Sequence, residues 1–221
     1  MPLAPDRTVI VIAGGDAPAR ADLLGVPEGA SVICADSGVD HALALGLRVD
    51  VAVGDFDSVS EGGLAAVQGA GAEIRRFPAE KDATDLELAL DAALEYRPER
   101  VVVLGAQGGR FDHELANLLL IAAPRYAQLR PQARHAGGTV TVIHDSARLY
   151  GSMGDQVSLL PVHGAAMGVV TAGLKYPLTD ETLGPGSSRG VSNEFQAEQA
   201  LIGLSSGTLW AIQSAGETGA D

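Results

Sequence analysis

Residues 51–60, VAVGDFDSVS, put two carboxylates, Asp55 and Asp57, directly behind an apolar run that stops at Gly54. Such a run reads as a buried parallel strand, and the crevice beyond the carboxyl ends of these strands is where open α/β sheets bind ligands. Two acids one residue apart repel unless a cation lies between them, and hard oxygen ligands suit Mg²⁺ holding a phosphate. On the same argument, Asp55→Asn or Asp57→Asn removes an unfavourable contact and raises the stability of the metal-free protein. Asp and Ser also favour Asx turns and helix N-caps, so each acid alone has a purely structural reading.

Other acids stand at the same kind of position. Asp36 follows the run SVICA, and Asp82 and Asp85 flank Thr84 in EKDATD, beside Lys81. Leu86, Ala89, Leu90, Ala93 and Leu94 mark one face of a helix that starts there. Thr84 with Glu87 fits a capping box, and Asp82 with Asp85 offers an alternative start. The cleanest buried strand, RVVVL over residues 100–104, runs into GAQGGRFDH. Gly105, Gly108 and Gly109 allow backbone N–H groups close to an anion, Arg110 can grip phosphate through two parallel bonds, and Asp112 can cap a helix beginning near Glu114. No GxxxxGK[ST] occurs, so this is not a Walker A loop. His113 reads as a helix-start residue, and none of the five histidines has metal-site spacing to another.

The elements that must position these groups alternate. A β-branched run over residues 8–13 ends at Gly14-Gly15 and leads to a short helical segment over 17–24. The strand before Asp36 leads to a helix through Val39, Ala42, Leu43 and Leu45 that stops at Gly46. A weak helix over 61–68 and a strand over 72–77 follow. Alternation of this kind predicts βαβ units and a parallel sheet, which brings the strand ends to one edge. Beyond residues 121–129 the character changes. Residues 130–138, RPQARHAGG, are turn-rich and polar, and the remaining runs (TVTVI, ARLYG, QVSLLPV, GVVTA, ALIGL, TLWAI) are short and separated by Gly, Pro and Ser, as in an antiparallel β domain. The domain boundary falls at Gly137, giving domains 1–137 and 138–221, and residues 215–221 read as a frayed tail.

Composition removes several classes of function. A net charge of −13 over 221 residues leaves no basic stripe for a nucleic-acid backbone. The single cysteine, Cys34, permits neither an intrachain disulfide nor a thiolate metal site and fits a reducing compartment. It reads as inert core. The N-terminal residues lack the pattern of a signal peptide, and no run approaches transmembrane length, so a cytoplasmic protein without membrane contact is expected.

Acids gathered at one sheet edge beside Lys81 and Arg110 are what a metal–polyphosphate site requires, which points to phosphoryl or nucleotidyl transfer. The motifs ADSGVDHALALGL, VDVAVGDFDSVS, EKDATDLELAL and LGAQGGRFDHELAN, followed by GLKYPL and SRGVSNEF, resemble the thiamin pyrophosphokinase family in order and across nearly the whole chain. The resemblance implies a Rossmann-like α/β domain with a mostly parallel sheet, followed by a smaller C-terminal antiparallel β-sandwich-like domain. It implies a homodimer with active sites at the subunit interface and the reaction ATP + thiamin → AMP + thiamin diphosphate. Asp55, Asp57 and Asp85 resemble the family's Mg²⁺-associated acids, with Asp36 and Asp112 near the same cluster. Lys81 and Arg110 would face the polyphosphate of ATP, and Ser192 and Asn193 the pyrimidine of thiamin. Trp210 either stacks on that ring or is a core residue of the last strand. The hydroxyl proton of thiamin can leave to Asp57, Asp85 or water.

Two features stand apart from the resemblance. Ser37 occupies a position where a second glycine is expected in the family, and Lys175-Tyr176-Pro177 match a family segment without an evident role. Two other readings fit the same residues. A pyrophosphokinase acting on another alcohol, such as a hydroxymethyl pterin, needs the same polyphosphate site, and a nucleotide- or thiamin-binding regulator needs no catalysis. Ser192, Asn193 and Trp210 should matter for thiamin and need not for a pterin, while the full acidic set exceeds what a sensor requires.

Overall fold

The computed structural model describes residues 7–135 and 138–214. The boundary expected at Gly137 and the tail expected over 215–221 lie outside the described residues. The chain divides into two compact units. The first runs to Ile121 and resumes from Gln128 through the strand ending at His135; the second takes Ala122–Ala127 and the described residues from Gly138 onward.

In the first unit the apolar runs form parallel strands: β1 (Thr8–Ile12), β2 (Ser31–Ala35), β3 (Val51–Gly54), β4 (Glu73–Arg76), β5 (Arg100–Leu104) and β6 (Pro131–His135). Their order is β4-β3-β2-β1-β5-β6. The order reverses between β1 and β5, the topological switch at which such sheets open a crevice. Helices α1 (Gly38–Ala44), α2 (Glu61–Gly69), α3 (Asp85–Glu95) and α4 (Phe111–Ile121) follow β2, β3, β4 and β5. Ile10, Ile12, Val32, Cys34, Ala52 and Leu104 form one core face with Val39 and Ala42 of α1 and Val67 of α2. Leu86, Ala89, Leu90 and Ala93 of α3 are also buried and sit outside that cluster, with α3 packed on β1, β2 and β3.

Two expectations change here. The helical segment over 17–24 is only a 3-10 turn, Arg20–Leu23, between Pro18 and Gly25. The polar stretch read as turn-rich over 130–138 contains β6. Pro131 and Ala133 are buried against β5, while Arg134 Nη1 donates to the carbonyls of Asp22 (3.1 Å) and Leu24 (2.6 Å). With its arginine satisfied by a neighbouring loop, this strand needs no apolar run.

The second unit is antiparallel, with β7 (Gly138–Ile143), β8 (Ser146–Tyr150), β9 (Gln156–Ala172), β10 (Glu181–Leu183), β11 (Asn193–Glu194), β12 (Gln199–Gly203) and β13 (Ser206–Ser214). Pairing runs β7-β13-β9-β12-β8, with β10 and β11 also on β9. The runs QVSLLPV and GVVTA merge into the single long strand β9. It carries positive φ at His163 and Gly164, within its register shift against β13, and at Gly168, within its register shift against β10, as β-bulges do. Leu159, Val169, Leu178, Leu183, Phe195 and Leu209 fill the core.

Candidate active site

Parallel register builds the acidic site. Ala35 of β2 lies opposite Val53 of β3, and Asp36 N donates to Val53 O at 2.8 Å, so Asp36 leaves its strand beside Gly54 and the acids that follow. Phe56 holds the next loop. It adopts a left-handed backbone (φ 65°), and its ring is buried in the core. The Arg76 guanidinium stands over that ring at 5.1 Å. A bulky residue at positive φ is strained and persists only where packing holds it, which here leaves Asp55 and Asp57 on either side of a fixed anchor. Asp57 N donates to Asp55 Oδ1 at 3.1 Å, and Ser58 Oγ donates to Asp36 Oδ2.

One ligand atom each from Asp36, Asp55 and Asp57 lies within 4.8 Å of the others. Asp36 Oδ1 is buried without a hydrogen-bond partner among the described residues. Three converging carboxylates, one with a buried unpartnered oxygen, suit a hard divalent cation, and Asp85 Oδ1 is likewise buried without a hydrogen-bond partner among the described residues. Of the expected set, Asp55 and Asp57 belong to this trio, and Asp85 stands next to it beside Lys81, whose Nζ lies 3.1 Å from Asp85 Oδ1, 3.7 Å from Asp55 Oδ2 and 3.2 Å from the Pro78 carbonyl. Thr84, not Asp82, caps α3: its hydroxyl accepts from Glu87 N at 3.2 Å.

The backbone N–H of Asp57, aided by Lys81, holds the Asp55 carboxyl below its usual range, although partial burial opposes the shift. Burial raises the Asp85 carboxyl, and Lys81 offsets this only in part. Burial also opposes charge on Lys81, but Asp85, Asp55 and Asp36 together raise its ammonium above the ordinary lysine value. The expected repulsion between Asp55 and Asp57 is therefore not the dominant effect on Asp55, because a backbone donor and a lysine compensate it.

The glycine turn after β5 is tied to the loop after β1: Gly15 N donates to Gly105 O (2.8 Å) and Asp16 N to Gln107 O (2.7 Å). Gly108 has φ 93°, and the Asp16 carboxylate occupies the place a side chain would need there. The Gly108 N–H points to Glu114 Oε2 at 3.3 Å. Arg110 is exposed and pairs with Asp112 at 2.6 Å. Helix α4 begins at Phe111, so Asp112 lies inside its first turn and does not cap it as expected near Glu114.

A cavity of about 660 Å³ opens at this edge, with Asp36, Asp55, Lys81, Asp85, Gly105 and Arg110 in its wall. Gly108, Gly109 and His113 also line it, whereas Asp57 and Asp112 are exposed and do not. Asp16, Ser37, Ser58 and Asn117 line it too and are absent from the sequence-based set. Asp16 and Ser58 stand at strand ends, the same signal that marked Asp36. Asn117, which donates to Ala106 O at 2.9 Å, carries no local signal. The Ser37 hydroxyl lies where a Cβ on Gly14 would stand, so the serine fills the face that a glycine would leave open.

In the second unit, Ser192 is exposed with φ 56°, but Asn193 is only 4% exposed. Asn193 Oδ1 accepts from the N–H groups of Tyr176 and Glu194 (both 2.9 Å), and Nδ2 donates to Tyr176 O at 2.7 Å. Its amide is thereby committed to the KYP segment. Tyr176 itself is half exposed, with Lys175 Nζ 5.6 Å from its ring centre. Trp210 is 8% exposed between Val142 and Leu160 of neighbouring strands, and its Nε1 has no hydrogen-bond partner among the described residues.

An open parallel sheet with a polar cavity at its carboxyl edge, followed by an antiparallel unit, defines a two-domain α/β protein of the ligand-binding, strand-edge class. The chain belongs to the thiamin pyrophosphokinase family. The family model for the thiamin pyrophosphokinase catalytic domain matches residues 27–131, and that for the vitamin B1 binding domain matches residues 140–209. Thiamine pyrophosphokinase of Bacillus subtilis (strain 168) is 30% identical over 94% of this chain and 99% of the relative. A crystal structure of thiamine pyrophosphokinase from Bacillus subtilis superposes with a TM-score of 0.82 at 28% identity, covering 95% of this chain and 99% of the other. That of thiamin pyrophosphokinase from Geobacillus thermodenitrificans gives a TM-score of 0.79 at 30% identity, covering 96% and 99%.

Proposed function

We propose that this chain transfers the pyrophosphoryl group of ATP to the hydroxyethyl oxygen of thiamin, giving thiamin diphosphate and AMP. The observation that carries the reading is the cavity at the carboxyl edge, where Asp36 and Asp55 face Lys81 beside the glycine turn, in a chain matched by both family domains. The pterin reading loses ground to the match with the vitamin B1 binding domain, and the regulator reading to the match with the catalytic domain.

Asp36, Asp55 and Asp57 are the residues that would hold Mg²⁺, since their ligand atoms converge and one Asp36 oxygen has no hydrogen-bond partner among the described residues. Such an ion, when bound, would supply positive charge against the phosphate oxygens. Lys81 and Arg110 contribute cationic donors to the transferred group, and the turn at residues 105–109 shapes the wall behind it. Catalysis in such transfers consists chiefly of holding the acceptor oxygen in line with the β-phosphorus and stabilising charge. Asp85, raised by burial and paired with Lys81, keeps that lysine oriented into the cavity.

On the thiamin side, Ser192 offers an exposed hydroxyl, and Asn193 acts by fixing the backbone of Tyr176, whose half-exposed ring supplies an aromatic face. Trp210 then serves as core. The catalytic and thiamin-binding domains divide at residues 1–137 and 138–221, a division supported by the two matched segments. The working form is a homodimer with active sites at the subunit interface. A cytoplasmic location is supported by Cys34, a lone buried thiol that burial pushes above its ordinary pKa and that would need no oxidising compartment. Among the described residues, no helix is long and apolar enough to cross a membrane.

The test is product identity. Purified protein incubated with thiamin, ATP and Mg²⁺ should release AMP in step with thiamin diphosphate. Stoichiometric ADP with thiamin monophosphate would overturn the pyrophosphoryl assignment.

A further inference from the structure

The loop that carries Asp55 and Asp57 is tied down at its far end by a residue outside the cavity wall. Asp40, in the first turn of α1, accepts from Ser60 N through Oδ2 at 3.0 Å and from Ser60 Oγ through Oδ1 at 2.6 Å. Ser60 Oγ in turn accepts from Gly63 N at 3.0 Å and caps α2. The fit is close. A Cβ on Gly63 would stand 2.2 Å from Asp40 Oδ1 and 2.7 Å from Ser60 Oγ, so only glycine lets the three groups meet.

Asp36 lies just ahead of the same helix and accepts from Ser58 Oγ. The loop is therefore held twice, by Asp36 just ahead of α1 through Ser58 and by Asp40 within α1 through Ser60, while Phe56 anchors the middle. The helix is itself fixed, because Val39 and Ala42 sit in the core. A metal site is only as well formed as the groups that orient its ligands, and loss of one such partner typically lowers metal affinity about 10–100-fold. We infer that Asp40 is a positioning residue for the cation site: through Ser60 it sets the loop so that Asp55 and Asp57 meet Asp36. The inference rests on the proposed role of that trio in holding a divalent cation.

The test is direct Mn²⁺ binding by calorimetry on the purified, folded protein without nucleotide. Asp40→Ala should raise the Mn²⁺ Kd about tenfold, the low end of the range for an orienting partner. Asp40→Asn separates hydrogen bonding from charge. Its Oδ1 can accept the Ser60 N–H and its Nδ2 can donate to Ser60 Oγ, so affinity should stay within about twofold of wild type, the latch being kept while the charge is lost. Ser60→Gly removes the same hydroxyl from the other side at small cost to helix capping, and it should weaken binding several-fold even if Asp40→Ala folds poorly. Wild-type affinity in folded Asp40→Ala and Ser60→Gly would overturn the inference. Equal losses in Asp40→Ala and Asp40→Asn would also overturn it, since they would show a long-range charge effect. Asp55→Asn is the control for the underlying reading. It should abolish binding, and unchanged affinity there would remove the metal site itself, a different failure from an intact Asp55 effect with no Asp40 effect.

Discussion

Lys81 Nζ lies 3.1 Å from Asp85 Oδ1 and 3.7 Å from Asp55 Oδ2, so one ammonium compensates two carboxylates that come from different strand–helix connections. Lys81 lowers the pKa of both acids: in Asp55 it adds to the larger effect of the Asp57 N–H, and in Asp85 it opposes burial. In Lys81→Met both carboxyl pKa values must rise, and protonation begins at higher pH as the solution is acidified. The acidic limb of the kcat/KM profile for Mg·ATP should therefore move to higher pH, besides any loss at the plateau. An unchanged acidic limb with a lower plateau would show that Lys81 acts on the phosphate alone.

Asp55→Asn should lower turnover by orders of magnitude while leaving far-ultraviolet circular dichroism unchanged. The sign of its stability effect follows from the lowered Asp55 pKa. A carboxyl depressed in the fold contributes stability above its unfolded pKa and loses it as pH falls through the folded value. At neutral pH the contribution is present. Asn keeps an acceptor for the Asp57 N–H but gives up attraction to Lys81, so the metal-free variant should melt at or slightly below the wild-type temperature. The relief of repulsion expected from GDFDS alone predicts the opposite, and a rise in melting temperature would restore it.

The two aromatic side chains of the second unit should separate in measurement. Trp210 is 8% exposed, whereas Tyr176 is 50% exposed on a segment held by Asn193. Trp210→Ala should cost about 3–5 kcal/mol of stability, as for a large buried ring. Tyr176→Ala should leave the melting temperature nearly unchanged and raise KM for thiamin more than it lowers kcat, because stacking is shared by ground and transition states. A large KM effect in a stable Trp210→Ala would reverse these roles.

What the sequence discloses here depends on distance along the chain. Strand-end acids, the Thr84 cap and the glycine turn are local patterns of propensity, and each is legible in a few consecutive residues. The convergence of Asp36 with Asp55 and Asp57 is not, because it follows from the β2–β3 register that sets Ala35 against Val53. Asn193 looks like a free amide until Tyr176, 17 residues away, folds back to occupy it. Strand β6 escapes notice for the reason that Arg134 is invisible as a buried-strand residue until the carbonyls of Asp22 and Leu24 are placed beside it.

The proposed interface site can be tested by complementation. If Mg²⁺ acids and thiamin contacts of one site come from different chains, Asp57→Asn and Tyr176→Ala homodimers are each defective, yet their mixture recovers activity. A heterodimer gathers both lesions into one site and leaves the other intact. Random mixing gives about half heterodimers and hence roughly a quarter of wild-type sites, by the symmetry of an isologous pair. Recovery should require subunit exchange, so it should grow on incubation above the dissociation threshold and vanish when the dimers are cross-linked before mixing. Verified heterodimers without recovery would show that each site draws its acids and its thiamin contacts from a single chain.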